Sequence, residues 1–272
     1  MGLRGNLPIF IKNFLSNRKF CVGIGASHSS FYNQEEGLPQ GSVLSVTCFA
    51  VAINDIVKQV SNDVQCTLYV DDFTIFISSR NEAHSSRVIQ TSINRINEWT
   101  KSKGFKLSAE KTAAIKFEKR KKGMDPELTL NNNAIQVLES TRYLGLIVDK
   151  RLSWKHHIEH LRIHCTPGVN LLKHLSHLSW GADRKTLELL YSALVKSKLD
   201  YGAHIYGATN SKILKRLDPI QNSCLRACTG AFKSSPTTSL HIESGTLPLK
   251  YAREVISLRY FFKAHTLPDT PT

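Results

Sequence analysis

The sequence predicts an α+β fold with two domains, residues 1–152, which mix strands and helices, and residues 153–272, which are mainly helical. Up to Asp149, short β-prone runs alternate with segments whose apolar residues recur at the 3-4 spacing of a helix. After Trp154 the spacing is helical alone. Hydrophobic residues make up 41% of the 272 residues, which is enough for a substantial core.

The elements of the first domain follow from apolar spacing and from turn residues. Helices are expected at 6–20, 43–60 and 86–102, and Gly104 is expected to end the third helix. Strands are expected at 20–24, 66–68, 74–77, 105–107, 114–117 and within 129–149, the last ending in a strand over Tyr143–Val148. A charged run at 118–123 is interpreted as a solvated loop, with phosphate contact as the lesser alternative.

In the second domain, helices are expected at 157–179, 184–198 and 210–230, because apolar residues there keep helical spacing over long stretches. The last six residues, 267–272, contain two prolines. They are interpreted as the beginning of a connection to further protein.

The chain is strongly basic, with a net charge of +14. This favours a polyanionic partner, nucleic acid or an acidic membrane face, although solvated lysines alone would also produce it. No apolar run reaches the roughly 18 residues that span a bilayer, and the first residues lack the apolar core of a secretion signal. Six scattered cysteines are then expected to be buried thiols rather than disulfides. We expect an intracellular protein of the cytoplasm and nucleus that binds nucleic acid and no membrane.

The segment Tyr69-Val70-Asp71-Asp72-Phe73 lies between two β-prone runs and predicts a hairpin with two carboxylates at its tip. Adjacent like charges oppose each other's ionisation, and a divalent cation reverses that cost. Mg²⁺ is typically held by one or two carboxylates plus substrate phosphates, so the tip resembles half of a phosphoryl-transfer site. The simpler alternative is a polar β-turn that happens to contain two aspartates.

Two other segments could contact phosphate. Glycines in a turn before the helix at 43–60 allow a ligand to approach the backbone, and a helix N-terminus favours anions. The alternative for this turn is an ordinary connection with Ser42 as N-cap. Lys111 could be a cation beside a phosphate or a general acid, or a solvated surface lysine.

Taken together, these motifs resemble the reverse transcriptases of non-LTR retrotransposons, most closely the jockey-like group of arthropod elements. The ordered motifs are Gly37–Ser42, Tyr69–Asp72, Gly104–Leu107 with Lys111-Thr112, and Tyr143–Gly145. Two further segments are typical of the group, Arg142–Asp149 with Leu152–Lys155, and Leu217–Gln221 followed by Gly230–Phe232. The resemblance covers essentially the whole chain.

The resemblance implies a partial right-hand polymerase palm, an antiparallel sheet plus helices, in 1–152. It implies a helical thumb and the start of a C-terminal connection in 153–272. The implied function is RNA-directed DNA synthesis by two-metal phosphoryl transfer, with an RNA template, a DNA primer, deoxynucleoside triphosphates and two Mg²⁺ ions. The thumb would hold the duplex by its backbone, which agrees with the basic charge.

Individual roles also come from the resemblance. Asp71 and Asp72 would bind the metal ions, and Lys111 would lie near the triphosphate and protonate the leaving pyrophosphate. Contacts to the template and the incoming nucleotide are implied for Gly37, Leu38, Pro39, Gln40, Gly41 and Ser42. A grip on the primer end is implied for Tyr143, Leu144 and Gly145.

The resemblance further implies a catalytic Asp and a fingers subdomain upstream of the glycine turn. The 36 residues before Gly37 contain no Asp. Because a two-metal centre needs carboxylates from several elements, we expect Mg²⁺ binding here to be weak or absent. We therefore expect a truncated remnant without polymerase activity by itself. The alternative function is a catalytically inactive nucleic-acid-binding remnant or a pseudogene product.

Other interpretations of the chain are weaker. His156, His160 and His164 recur at helical spacing and could bind zinc, but an exposed helix face explains them. Cys224 and Cys228 lie one helical turn apart and are expected to be buried thiols. A viral RNA-dependent polymerase would carry Gly-Asp-Asp in place of the motif at 69–72, and a group II intron maturase differs in its thumb.

Overall fold

The computed structural model describes residues 4–118 and 124–266. The charged run at 118–123 lies almost wholly outside the described residues, and the connection predicted at 267–272 lies wholly outside them. The α-helices are α1 (Leu7–Leu15), α2 (Val43–Ile53), α3 (Glu82–Ser102), α4 (Lys155–Leu175), α5 (Arg184–Tyr191), α6 (Ser197–Asp200), α7 (Ala203–Tyr206), α8 (Ser211–Leu214), α9 (Asp218–Thr229), α10 (Thr237–Ser244) and α11 (Leu249–Thr266).

The strands are short and pair two by two. They are β1 (Lys19–Phe20), β2 (Gly23–Ile24), β3 (Ser27–His28), β4 (Tyr32–Asn33), β5 (Gln65–Tyr69), β6 (Asp72–Phe76), β7 (Ala113–Ala114), β8 (Thr129–Leu130), β9 (Asn133–Ala134), β10 (Gln136–Val137), β11 (Ser140–Tyr143) and β12 (Leu146–Asp149). Antiparallel pairs join β1 to β4, β2 to β3, β5 to β6 and β11 to β12, and β7 pairs with β10 in parallel. The predicted mixture of helices and strands is present, but the described strands form ladders of two rather than one antiparallel sheet.

Packing divides the chain into two compact units. Unit 1 consists of Met1–Ala109 and Leu128–Asn133, and unit 2 consists of Glu110–Glu127 and Ala134–Thr272. This division follows the packing of the chain. The boundary predicted at 152/153 instead divides the palm and thumb that the family resemblance implies. The assignment of palm and thumb therefore stays a prediction.

The predicted helices are found with changed ends. The helix expected at 43–60 is α-helical only to Ile53 and continues as a 3-10 turn over Asn54–Gln59. The helix expected at 184–198 is present as α5, a π-helical stretch at Ser192–Lys196, and α6. No helix among the described residues is both long and apolar enough to cross a membrane.

The small core of unit 1 forms where α3 packs against the 3-10 turn and β8. Ile96 of α3 and Ile56 of the turn are almost fully buried. The Gln90 side chain accepts a hydrogen bond from the Thr129 backbone N–H at 2.8 Å and donates one to the Thr129 carbonyl at 2.9 Å. These two hydrogen bonds attach β8 to α3 and satisfy both the backbone N–H and the backbone carbonyl of Thr129.

The strand predicted at 105–107 is wrong. Gly104 follows α3 with a φ of 76°, as expected for a helix stop, and the Phe105 N–H then donates back to the Thr100 carbonyl at 2.8 Å. The Phe105 ring stacks on Trp99 at 5.9 Å and meets Phe49 edge-on at 6.0 Å. Aromatic packing holds this segment instead of strand pairing.

The core of unit 2 lies between α4, α5 and α9. Along α4 the buried residues follow a helical stripe that includes Ile158, Leu161, Cys165 and Leu172. The facing side of α9 contributes Cys224, Leu225 and Cys228. The two α9 cysteines are buried thiols, as predicted, and burial raises the pKa of the Cys224 thiol to about 12.

Candidate functional site

The predicted acidic hairpin is present in unit 1. Strands β5 and β6 pair with Tyr69 opposite Asp72, so Val70 and Asp71 form a two-residue loop. Val70 has a φ of 56°, a conformation that β-branched residues rarely adopt. Asp71 and Asp72 are both exposed at the tip. A tight, strained loop thus presents two carboxylates to solvent, where a ligand can reach them.

The glycine turn before α2 is also in unit 1. Gly37 and Gly41 have φ values of 76° and 89°, and a Cβ on either would meet no atom within 4 Å. The glycines are therefore required by the backbone conformation, and the space beside them is open. The Pro39 carbonyl accepts a hydrogen bond from the Ser45 hydroxyl of α2 at 2.6 Å, which ties the turn to the helix. Ser42 occupies the N-cap position of α2 but makes no side-chain cap bond, so its role as an ordinary N-cap is not supported.

The carboxylates at the hairpin tip match the donors that Mg²⁺ prefers. Mg²⁺ is commonly bound by one or two carboxylates together with substrate phosphates, and Asp71 and Asp72 supply two exposed carboxylates on one loop. Within residues 4–118 and 124–266, no cluster of three or more His, Cys, Asp or Glu side chains could hold a metal ion. Two carboxylates are fewer than a two-metal centre needs, so these residues fit a metal only where a bound substrate supplies further oxygen ligands, which agrees with the expectation of weak binding.

Lys111 belongs to unit 2, whereas Asp71 and Asp72 belong to unit 1. Its side chain is exposed in the turn that precedes β7. The expected strand at 114–117 is reduced to β7, which pairs with β10. The structure thus gives Lys111 an accessible position in the turn that leads into a short parallel ladder.

The segment Tyr143–Gly145 forms the end of a hairpin in unit 2. The continuous strand predicted over Tyr143–Val148 is wrong, because Leu144 and Gly145 form a two-residue turn between β11 and β12. Their φ values, 44° and 83°, are both positive, as in a type I′ turn. Both residues are half-buried. The predicted primer grip is therefore a tight hairpin turn.

Tyr201, a residue that sequence reasoning missed, braces this turn. Its hydroxyl donates to the Leu144 carbonyl at 2.7 Å. A Cβ on Gly145 would lie 3.0 Å from the Tyr201 ring, so the glycine also allows this close approach. Gly202, with a φ of 66°, packs more closely still, because a Cβ on it would lie 2.6 Å from the Leu146 side chain. The local signal was a Tyr-Gly pair that follows the helix predicted at 184–198, and this pair says nothing of the residue that Tyr201 contacts.

Asp149 organises the loop that leads from β12 into α4. Its buried carboxylate accepts bonds from the backbone N–H groups of Arg151, Ser153 and Trp154 at 3.1, 3.0 and 2.7 Å. Burial alone would raise the pKa of Asp149, but these hydrogen bonds outweigh it and the pKa lies below its ordinary value. The loop that these bonds hold contains Leu152 and Trp154 in left-handed conformations, with φ values of 52° and 59°, and the Leu152 N–H donates to the Asp149 backbone carbonyl at 2.8 Å.

His157 connects the hairpin to α4. It is 2% exposed, and its Nδ1 accepts a bond from the Ile147 N–H at 3.3 Å. The ring lies 5.2 Å from Tyr206, and Nε2 has no hydrogen-bond partner among the described residues. Burial, with a smaller contribution from the charge of His160, lowers the pKa of His157 to about 4. This histidine is therefore neutral near pH 7.

The histidine row singled out from the sequence lies on the outer side of α4. His156 and His164 are exposed and His160 is half-buried. The rings of His160 and His164 stack at 5.5 Å. The charge of Lys198, more than burial, lowers the pKa of His164. The buried histidine of this helix is His157, one position from the predicted row.

Comparisons with known proteins extend over most of the chain. The chain is 28% identical over 237 residues to the RNA-directed DNA polymerase from mobile element jockey of Drosophila melanogaster, covering 83% of this chain and 25% of that protein. It is 27% identical over 233 residues to the Drosophila funebris counterpart, covering 81% and 25%. A Pol polyprotein from type-1 retrotransposable element R1 of Nasonia vitripennis is 22% identical over 222 residues, covering 78% and 65%. The chain thus spans about a quarter of the jockey polymerases.

A family model described as reverse transcriptase (RNA-dependent DNA polymerase) matches residues 4–148, more than half of the chain. The match includes the glycine turn, the acidic hairpin and the turn at Leu144-Gly145. The chain therefore belongs to the reverse transcriptase family and is similar to the RNA-directed DNA polymerases of non-LTR retrotransposons.

Proposed function

We propose that this chain carries the metal- and primer-binding part of an RNA-directed DNA polymerase. The observation that carries the proposal is the hairpin tip, where Asp71 and Asp72 are exposed on a two-residue loop strained at Val70. Carboxylate oxygens on an exposed loop are the ligands that a divalent cation takes together with substrate phosphates. The family match gives the class of reaction, the extension of a DNA primer on an RNA template.

In this proposal Asp71 and Asp72 hold divalent metal together with the phosphates of a deoxynucleoside triphosphate. The metal stabilises charge on the attacking and leaving oxygens when it is bound. The open turn from Gly37 to Gly41 lets template or nucleotide approach the backbone. Lys111, exposed on its turn, supplies a positive charge or a proton to the leaving pyrophosphate.

The hairpin turn at Leu144-Gly145 would hold the primer end, braced by the hydroxyl of Tyr201. The helices of unit 2 would act as a thumb that holds the duplex through its backbone. The net charge of +14 supports this role, because phosphate contacts position a duplex without reading its sequence.

Metal binding at the tip is tested by titrating Mn²⁺ into the protein in the presence of dTTP and an oligo(dT)–poly(rA) primer–template. The bound fraction is followed by electron paramagnetic resonance. We expect Asp71→Asn/Asp72→Asn to lower Mn²⁺ affinity by at least about tenfold, since two anionic ligands are lost. Asp55→Asn/Asp63→Asn removes the same charge elsewhere in unit 1 and is the matched control. Equal affinity of the two double variants would contradict the proposal.

A second candidate function is nucleic-acid binding without catalysis, which the net charge favours independently of the aspartates. Primer extension on poly(rA)/oligo(dT) with Mg²⁺ or Mn²⁺ separates the two. Extension above the level of Asp71→Ala supports catalysis and overturns the expectation that the chain is inactive by itself. Binding of the primer–template without extension leaves the second candidate.

A further inference from the structure

The last helix of unit 2, α11, carries large apolar side chains that the rest of the unit leaves uncovered. Tyr251, Leu258, Phe261 and Phe262 are each more than half exposed. The rings of Phe261 and Phe262 meet edge-on at 5.8 Å and so form one apolar surface. A patch of exposed apolar side chains marks a site of interaction with another molecule. These four residues form the α11 stripe.

The stripe is exposed because the opposite face of α11 makes the contacts with the rest of unit 2. That face packs against α6 and α7. It buries Leu249, Ala252 and Arg253, and Ile256 packs against the core from the same side. Packing of the unit thus fixes the orientation of α11 and turns its second apolar face outward.

The spacing of the stripe is that of a helix that pairs with a second helix. Leu258 comes seven residues after Tyr251, and Phe261 and Phe262 come three and four residues later. Apolar residues at this spacing follow the heptad pattern, which places their side chains along one seam of the helix. An amphipathic helix can lay its own apolar face against such a seam.

Positive charge borders the α11 stripe on both sides. The Lys250 ammonium lies 5.5 Å from the centre of the Tyr251 ring. Arg259 comes nine residues after Lys250, which is about 180° around a helix, so the two cations lie at opposite edges of the stripe. Glu254 is the one carboxylate of α11, and the exposed cations Lys250, Arg259 and Lys263 outnumber it. The stripe is therefore an apolar row between basic edges.

These charges select among the molecules that could cover the stripe. A second copy of this chain would bring like basic edges together, and the net charge of +14 on each copy opposes self-association. A duplex presents phosphate and sugar, which do not cover an apolar row. A helix with acidic residues beside its own apolar row matches both the stripe and its edges, since flanking charges choose the partner in paired helices.

We propose that the α11 stripe is a docking surface for an acidic amphipathic helix of a partner protein. The apolar row of that helix packs against Leu258 and Phe262, and its carboxylates face Lys250 and Arg259. Glu254 repels such a partner and limits its affinity. The stripe shares no residue with the proposed metal, nucleotide and primer sites, so the inference does not rest on the proposed function.

The test uses the whole chain and a fluorescein-labelled synthetic peptide of about three heptads, with leucine at the apolar positions and glutamate at the flanking positions. Binding is followed by anisotropy at about 0.15 M salt, where long-range attraction between exposed charges is largely screened. Leu258→Ser/Phe262→Ser is expected to weaken binding by at least about tenfold, because two apolar contacts are lost. Leu178→Ser/Ile242→Ser removes two exposed apolar side chains elsewhere in unit 2 and is the matched control.

The basic edges are tested with a second peptide that has lysine in place of each glutamate. The wild type is expected to bind the acidic peptide at least about tenfold more tightly than the basic one. Lys250→Glu/Arg259→Glu should reverse this preference, whereas Lys185→Glu/Lys212→Glu, the same charge change on α5 and α8, should keep it. Glu254→Gln should strengthen binding of the acidic peptide several-fold, an effect that damage to the fold would not produce.

Other ligands are tested with vesicles of phosphatidylcholine and phosphatidylserine in equal amounts, with an oligo(dT) strand, and by sedimentation of the protein alone. Binding of vesicles or oligo(dT), or dimer formation, that Leu258→Ser/Phe262→Ser abolishes and the control double variant keeps would assign the stripe to that ligand and overturn the inference. Equal affinity of the two apolar double variants for the acidic peptide, or no preference of the wild type between the two peptides, would overturn it as well. A failed Mn²⁺ titration would remove the proposed function and leave the peptide result intact.

Discussion

The two units of this chain differ in how they use their apolar residues. In unit 1, helix α1 buries no residue, and the side chains of Phe10 and Phe31 are 58% and 72% exposed. In unit 2, Val195, Leu217 and Leu225 are 0% exposed and belong to one continuous core. Among the described residues, the core of unit 1 is confined to the surroundings of α3, whereas unit 2 packs several helices together.

The difference teaches that the predicted metal ligands and the large apolar core are separated along the chain. The aspartate pair lies on a strained loop in the unit with little burial, and the helical core lies in the unit without it. Since burial of apolar surface is the dominant stabilising contribution, unit 2 is expected to be the more stable. The tip of unit 1 instead depends on a short ladder between β5 and β6.

The largest expected effect tests the core of unit 2. Leu172→Ala is expected to lower the free energy of unfolding by about 2–5 kcal/mol, because it leaves a cavity at a fully buried position. Leu178→Ala is the control, since Leu178 is fully exposed. Urea unfolding followed by circular dichroism measures both. A similar small cost for the two variants would mean that unit 2 is not a continuous core.

The second prediction concerns acid stability of unit 2. The folded pKa of His157, about 4, lies below its ordinary value of 6.5, so protonation favours the unfolded chain. The neutral state of His157 contributes fully to the free energy of unfolding above pH 6.5. This contribution is lost as the pH falls toward 4, and the free energy of unfolding then drops by about 3 kcal/mol. His157→Gln should remove this loss in urea unfolding between pH 7 and pH 4.

The control for His157 is His156→Gln at an exposed position on the same helix, which should keep the acid sensitivity of the wild type. If the two variants lose stability equally between pH 6.5 and pH 4, the burial of His157 does not govern the response. In that case His157 would no longer be evidence that unit 2 is more tightly packed than unit 1.

A smaller effect is expected at the hairpin turn of unit 2. Tyr201→Phe keeps the ring but removes the hydroxyl that donates to the Leu144 carbonyl, at a cost of about 1 kcal/mol. Hydrogen exchange of residues 140–149 should accelerate accordingly. Tyr251→Phe, at an exposed position on α11, should leave that exchange unchanged. Unchanged exchange in both variants would show that the turn holds without the tyrosine.

The smallest effect is expected at the acidic tip of unit 1. Val70→Gly relieves a left-handed conformation that costs a β-branched residue about 1–2 kcal/mol, while glycine itself costs about 0.5–1 kcal/mol in chain entropy. The net result is a stabilisation of about 0.5 kcal/mol, visible as slower hydrogen exchange in β5 and β6. Thr74→Gly, in ordinary strand conformation, should accelerate it. Faster exchange in Val70→Gly would mean that Val70 is not strained.

Sequence patterns predicted the features that depend on neighbouring residues. The hairpin around Asp71 and the helix stop at Gly104 were correct because strand alternation, turn residues and glycine conformation act within a few residues. The length of the strands was predicted less well. Phe105 has the pattern of a strand residue, but the positions of Trp99 and Phe49 decide its packing.

By itself, the sequence determined the order of the motifs, the family, the acidic tip and the buried stripe of α4. Only the tertiary structure decided that Tyr201 braces Leu144, that His157 is buried beneath the hairpin, and that Arg216 meets Glu159. Local patterns encode backbone conformation and which face of a helix is apolar. They do not encode which distant groups come within hydrogen-bond distance, because that depends on how whole elements pack. Tyr201 and the Leu144 carbonyl, for example, are more than fifty residues apart in the sequence.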